Sequence, residues 1–338
     1  MNVYGYDNSD FLGKLRNRGF RVAENSYANY YTTFLSMSSM FHLDYFDRIV
    51  RPEGLAADML KVLGAYGYSE ETQEKITIGN NIFVKTLKSY GYSYIFGGVF
   101  HCDPTMDYCF SRSWIFIPEK LSHLTPFDTI RSFLHWEYEV DISVPTLFGT
   151  SLYLELPEIM DLHPGPELSP SYTYIHLMMP HAPYRYKADC SKLKEAVYVD
   201  DWFNSDASSY FVGQVKCVNL QILDAIDKIM AEDPSAHIII QADTGTIQLG
   251  SYHTPLNEWT DDQFEESYAI LSAVKLDGSC QNRLYRSYTP INLARILLSC
   301  VDNIDRPRLR DVSYKVNFEW ENENGRLTGS VNHQKHRH

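Results

Sequence analysis

Tyr174-Ile175-His176-Leu177-Met178-Met179-Pro180-His181-Ala182-Pro183-Tyr184 and, further on, Ile238-Ile239-Ile240-Gln241-Ala242-Asp243-Thr244-Gly245 are the two stretches whose reading decides the fold. Each is a short apolar run of strand length that stops at groups able to meet an oxyanion or a cation. Open α/β sheets build their sites in the crevice past the carboxyl ends of the strands. A helical pattern over residues 208 to 231 feeds the second stretch, with Phe211, Val215, Val218, Ile222, Ile226, Ile229 and Met230 three or four apart. Helix followed by buried strand predicts an α/β fold with a central, mostly parallel sheet and helices on both faces.

Other elements fit that plan. Asn8 or Ser9 caps a short helix through Arg18, Gly19 ends it in the left-handed conformation, and Phe20 to Ala23 begins a strand. Thr33 to residue 40 reads as a helix, with Thr32, Thr33 and Ser36 as capping hydroxyls. Asn80 to Ser89 is a helix stopped by Gly91, Tyr92 to Phe96 a strand entering Gly97-Gly98, and residues 127 to 138 an amphipathic helix. Leu156 to Pro170 carries Pro157, Pro164, Pro166 and Gly165 and reads as a surface crossing. Residues 321 to 338 are polar, close on His-Gln-Lys-His-Arg-His, and are expected to be a disordered tail behind a single domain of residues 1 to 320.

Composition sets the limits. A chain of 338 residues, 44% hydrophobic, can bury a full core, and a net charge of -13 argues against binding nucleic acid through its phosphates. No apolar stretch is long enough to span a bilayer, and the first residues hold no signal-like run, so the chain as written is expected to be cytoplasmic. The six cysteines have scattered spacings with no C-x-x-C pair and are expected to be free thiols; Cys102 and Cys109 are the two able to bridge in an oxidising compartment.

The opening stretches resemble the strand-then-Pro-His-x-Pro-Tyr and strand-then-Asp-His-Gly motifs of the sulfatase and alkaline-phosphatase superfamily. The resemblance continues through Arg18-Gly19-Phe20-Arg21-Val22-Ala23 and Asn29-Tyr30-Tyr31-Thr32-Thr33. It ends in Ala269-Ile270-Leu271-Ser272-Ala273 and Tyr288-Thr289-Pro290-Ile291-Asn292-Leu293-Ala294-Arg295. Each match is short, and their shared order along the chain carries the weight. The resemblance implies an alkaline-phosphatase-like fold and chemistry on sulfate or phosphate esters, by hydrolysis or transfer.

It also assigns roles. Thr33 stands at the nucleophile position, with Thr32 beside it as a rival; a helix start there would supply N–H groups toward an anion. His181 stands where the family contacts the transferred group or protonates the leaving oxygen, while His176, inside the strand, is expected to be buried and hydrogen-bonded. Asp243 is the metal-ligand position. Thr244 replaces the family's histidine, turning Asp-His-Gly into Asp-Thr-Gly, and a hydroxyl is a poor substitute for imidazole toward zinc or manganese. His253, in Ser251-Tyr252-His253-Thr254-Pro255, resembles a further histidine of phosphoethanolamine transferases. The family's first strand, with its bridging aspartate, belongs just upstream of Tyr4-Gly5-Tyr6-Asp7, so the domain reads as truncated there; an upstream segment would make a periplasmic or membrane-anchored location the expectation.

These observations lead to a degenerate or truncated sulfatase-like domain with weak or no activity. Its cofactor would be a divalent cation (manganese, magnesium, zinc or calcium), retained or lost, and its partner an anionic ester or glycan. Two further readings stand beside it: an active single-cation hydrolase or transferase using Thr33 and Asp243, and a non-catalytic module that binds an anionic glycan or a protein partner.

Overall fold

The structure is a computed structural model and describes residues 4–45, 75–111, 155–197, 205–247, 249, 254–255, 258–315 and 334–337. The chain opens with a helix because Asp7 accepts from both the N–H and the hydroxyl of Ser9, at 2.9 Å each, which turns the backbone into α1 (Ser9–Asn17). Gly19, at φ 86°, ends that turn and sends Phe20 into the core ahead of β1 (Arg21–Val22). Phe11 and Leu15 lie on one face of α1 and pack with Phe20, Ile226, Ile238 and Ala273. Ile226 belongs to α5 (Ser205–Glu232), Ile238 to β7 (Ile238–Gln241), and Ala273 to β8 (Ser272–Lys275). The C-terminal half of the long apolar stripe read from the sequence, with Ile222, Ile226, Ile229 and Met230, is therefore the face that α5 lays on β7 and β8.

A second core lies around α2 (Thr33–His42), α3 (Ile82–Ser89) and α7 (Pro290–Asp302). Met37 and Phe41 meet Phe83, Val84 and Leu87, along with Ala294 and Leu298, over Tyr94 and Phe96 of β2 (Ser93–Gly98). The Asn81 side chain caps α3 by accepting the Val84 N–H at 2.9 Å, and Gly91, at φ 82°, follows its end as expected. Strand β2 is central and parallel to both β3 (Tyr108–Ser111) and β4 (Ser171–His176). Gly98 at the end of β2 has φ 137°, and a Cβ there would collide with the His176 carbonyl, so the close approach of β2 to β4 requires glycine.

The second three-stranded ladder departs from the parallel scheme. β7 and β8 are antiparallel, and so are β8 and β1, giving the order β1-β8-β7. The apolar runs at 172–178, 236–242 and 268–274, which the sequence reads as strands of one sheet, do not all share one hydrogen-bonded sheet among the described residues: the first belongs with β2 and β3, the other two form a separate ladder. The third run also starts late, because α6 (Asp261–Tyr268), closed by a Thr260/Gln263 capping box, occupies the residues before it.

Other expectations are corrected. The proline-rich crossing contains α4 (Leu156–Leu162) and a short 3-10 turn (Gly165–Leu168): Pro157 sits in the first turn of α4, where its missing N–H costs nothing, and Glu155 and Glu158 cap reciprocally. Beyond it, β5 (Tyr184–Tyr186) and β6 (Lys192–Val197) form a hairpin. Part of the tail expected to be disordered, β10 (Gln334–Arg337), pairs with β9 (Val312–Lys315). The expected helix at 127–138 lies outside the described residues.

The cysteines are the largest correction. All six are paired, as Cys102–Cys109, Cys190–Cys217 and Cys280–Cys300. Sequence spacing hid the last two because each links elements that only the fold brings together: the β5–β6 turn to α5, and the segment after β8 to α7. Disulfides form and persist in oxidising compartments, so the cytoplasmic expectation finds no support. No described helix is long and apolar enough to cross a membrane.

Candidate functional site

The site is assembled where the start of α2 meets the ends of β7 and β4. Thr33 is the first residue of α2, and Thr32 is its N-cap in extended conformation at φ -117°, ψ 144°. Thr32 does not cap in the usual way, since its Oγ1 is buried with no hydrogen-bond partner among the described residues. An orphaned hydroxyl of that kind costs about 1–3 kcal/mol in a folded protein. Ser36, read as a third capping hydroxyl, instead donates to the carbonyl of Asp243 at 2.6 Å. This bond seats the first turn of α2 on the end of β7.

Asn29, three residues before the cap, fixes the entry to α2 from the core side. Its Nδ2 donates to the Val312 carbonyl at 3.0 Å and to the Tyr45 hydroxyl at 3.2 Å, and its Oδ1 accepts the Ile291 N–H at 3.2 Å. Asn292 binds the Leu309 backbone with both ends of its amide, at 2.9 Å, and donates to Asp311 at 2.8 Å. The Asn-Tyr and Thr-Pro-Ile-Asn motifs therefore brace one another, and their asparagines are scaffold.

Asp243 follows β7 as the sequence implies. Its charge reaches Tyr174 and His176 on β4: burial drives the Tyr174 hydroxyl well above its ordinary pKa, helped by Tyr172 and Asp243, while burial pulls His176 below its ordinary value against the opposing pull of Asp243. His176 is hydrogen-bonded as expected, sharing a 3.1 Å bond between Nδ1 and the Tyr174 hydroxyl, and its ring stacks on Phe100 at 4.5 Å between centroids. The loop after Asp243 is anchored by Glu266 at the end of α6. That buried carboxylate accepts from the Tyr4 hydroxyl at 2.6 Å, Thr246 Oγ1 at 2.8 Å and the Leu249 N–H at 2.7 Å. A Cβ on Gly245 would strike the Glu266 carbonyl, which explains the glycine of Asp-Thr-Gly.

His181 lies five residues past His176 and is exposed. Its Nδ1–H donates to the Ala182 carbonyl at 2.5 Å and its backbone N–H to the Met178 carbonyl at 2.8 Å. It lines a small pocket with Glu155, Met178, Arg185 and Gln214, where burial pushes the Glu155 carboxyl up against the pull of Tyr186 and Arg185. The structure thus gathers the α2 start, Asp243, Tyr174 and His176, and sets His181 on the adjoining loop. His253 lies outside the described residues. Sequence reading passed over Glu266 and Gln214; the sign it could have used for Gln214 is an amide on the apolar stripe of α5, between Phe211 and Val218.

The donor set decides what a cation would find. Among the described residues no three His, Cys, Asp or Glu side chains come together as a metal site. Asp243 supplies one carboxylate and Thr244 a neutral hydroxyl. Zinc sites use three or four nitrogen, sulfur or carboxylate ligands, and calcium six or more oxygens, so the described residues do not fit a tightly held cation.

No protein-family model matches the sequence, and no curated protein matches it. Solved structures do match in fold. The phosphonate monoester hydrolase of Agrobacterium radiobacter superposes with a TM-score of 0.50 at 11% identity, over 94% of this chain and 77% of that one. A 4S-sulf protein of Bacteroides thetaiotaomicron, described with the metabolism of multiple glycosaminoglycans, gives 0.50 at 11% identity, over 95% of this chain and 75% of that one. The shared fold is mixed α/β, as the motif order implied, while the mostly parallel sheet is met in part, in β3-β2-β4.

Proposed function

We propose that this chain is a degenerate sulfatase-like domain that keeps an anion-directed cleft and has weak or no turnover on sulfate or phosphate esters. In this reading the two three-stranded ladders are parts of one alkaline-phosphatase-like central sheet. Thr33 faces the cleft at the nucleophile position, with His181 at its rim toward the transferred group. The observation that carries the proposal is the donor set at Asp243: among the described residues no three His, Cys, Asp or Glu side chains gather there, and Thr244 stands where the family resemblance calls for an imidazole.

What remains is suited to holding an anion. The first N–H groups of α2 have no partner within the helix, the buried Thr32 hydroxyl has none among the described residues, and an imidazole stands on the neighbouring loop. A sulfated or phosphorylated glycan or ester is the partner this chemistry fits. The hydrolase and the 4S-sulf protein that share the fold fit the same class. Pairing of all six cysteines supports a location outside the reducing cytosol.

The test is an assay of the purified chain on aryl sulfate and aryl phosphate with manganese, magnesium, zinc or calcium supplied, beside direct titration with sulfate and orthophosphate. Negligible turnover with measurable anion binding is the expected result. Clear metal-dependent turnover that Thr33→Ala abolishes would make the chain an active enzyme and overturn the proposal.

A further inference from the structure

Gln214 is an amide in the wrong place for a surface residue: it is 1% exposed, on the α5 stripe that otherwise carries Phe211, Val215 and Val218. A buried amide is tolerated when its polar atoms are paired, and here every partner lies in one short stretch, from Pro180 in the loop to Arg185 in β5. Oε1 accepts the Arg185 N–H at 2.8 Å, and Nε2 donates to the carbonyls of His181 at 3.1 Å and Pro180 at 3.3 Å. The amide thus holds the peptide entering His181, the peptide leaving it, and the N–H of Arg185, two residues beyond Pro183. Pro180 and Pro183 have no N–H, so the loop is short of donors of its own. The carbonyls of Pro180 and His181 are met from outside it, by the group that α5 supplies. The helix is itself tied to the adjoining hairpin by Cys190–Cys217, one turn beyond Gln214.

The consequence falls on the imidazole. His181 Nδ1–H is bonded to the carbonyl of Ala182, the residue between the two segments that Gln214 holds. The proton of a neutral imidazole goes to the nitrogen that faces an acceptor, and for His181 Nδ1 that acceptor is a backbone carbonyl. We propose that Gln214 is the positioning residue of His181, fixing the loop so that the imidazole is kept in its Nδ1–H form. The value of this form to an anion rests on the proposed function; the positioning itself does not.

Nitrogen-15 NMR of the histidine-labelled full chain tests it, with the His181 signals identified by their loss in His181→Ala. The wild type should show His181 in the Nδ1–H tautomer at neutral pH. Gln214→Glu retains the acceptor for Arg185 and removes both carbonyl donors; Gln214→Leu removes all three bonds. Both should keep the fold by circular dichroism yet show His181 as a mixture of tautomers. Orthophosphate should bind about tenfold more weakly to Gln214→Glu, the loss of roughly one hydrogen bond to a charged group. His181→Ala should weaken it by a similar factor, and the double variant should add little to either. Wild-type His181 in the Nε2–H form, or an unchanged tautomer in both Gln214 variants, overturns the proposal. Should the variants fail to fold, the wild type decides: the Gln214 side-chain N–H groups should exchange with solvent as slowly as the α5 backbone, and rapid exchange overturns the idea. If the tautomer shifts as expected while His181→Ala binds orthophosphate unchanged, the positioning role stands and the anion-contact reading of His181 fails.

Discussion

Ser36 and Asp243, 207 residues apart in the chain, are joined by a 2.6 Å hydrogen bond from the Ser36 hydroxyl to the Asp243 carbonyl. It joins the first turn of α2 to the end of β7 in one corner. Ser36 is buried, so removing its hydroxyl leaves the carbonyl without that donor. Ser36→Ala is expected to lower the free energy of unfolding by about 1–2 kcal/mol, as for other buried hydrogen bonds. Urea denaturation measures it. A loss within error would mean that α2 and β7 are held together by packing alone.

Asn29 should matter more, because its amide makes three hydrogen bonds at the junction of α2, α7 and β9 and is fully buried. Asn29→Ala strands three backbone or hydroxyl partners in the core and is expected to cost about 3 kcal/mol or more. Asn29→Asp keeps the acceptor for Ile291 and loses both donors, so it should fall at least as far. Thermal unfolding ranks the two against wild type, and a neutral Asn29→Ala would remove the scaffold role assigned to the motif.

The strands ending at His176 and before Asp243, the long helix between them and the helix start at Thr33 were legible in the sequence because each carries its own periodicity or cap. What the sequence hid is relational. Nothing local marks Cys190 as the partner of Cys217, or Glu266 as the carboxylate that clamps the Asp-Thr-Gly loop; those facts depend on how distant elements meet. The antiparallel order of β1, β8 and β7 was lost for the same reason, since an apolar run records burial and carries no direction. The matched asparagines 29 and 292 were legible as motif and opaque as function, and the structure gives them to the scaffold.

The disulfides give a covalent prediction. Thiol titration of the unfolded chain without reductant should find none, since all six cysteines are paired. Closing the 27-residue separation between Cys190 and Cys217 restricts the unfolded chain, so replacing both by serine is expected to lower stability by about 3 kcal/mol. Recovery of six titratable thiols from freshly purified, unreduced protein would contradict the pairing.

Acid should weaken the fold partly through His163. Its Nδ1 accepts the Gly165 N–H at 3.2 Å, its Nε2–H donates to Thr173 at 3.0 Å, and burial lowers its pKa below the ordinary 6.5 despite the opposing charge of Glu232. A proton on Nδ1 would break the first of these bonds. Below about pH 6.5 the unfolded chain takes up a proton that the folded chain refuses, so this contribution is present above that pH and is lost as the pH falls. His163→Gln should reduce the drop in urea midpoint between pH 7.5 and 5.5. An identical drop in the variant would place the acid sensitivity elsewhere.

Thr244→His restores the residue that the family resemblance calls for, and it is expected to change little by itself. Among the described residues, one imidazole added beside the Asp243 carboxylate still gives two strong ligands, while catalytic zinc sites hold the metal with three protein ligands and keep one position open. Zinc binding measured by calorimetry should tighten modestly, with turnover on aryl phosphate staying at background. Catalytic groups that act as a unit lose most of their effect when one is missing, and a single restored member does not recover it. Metal-dependent turnover by Thr244→His that disappears on adding Thr33→Ala would show that a single ligand separated this chain from activity, and that the remainder of the site is already in place.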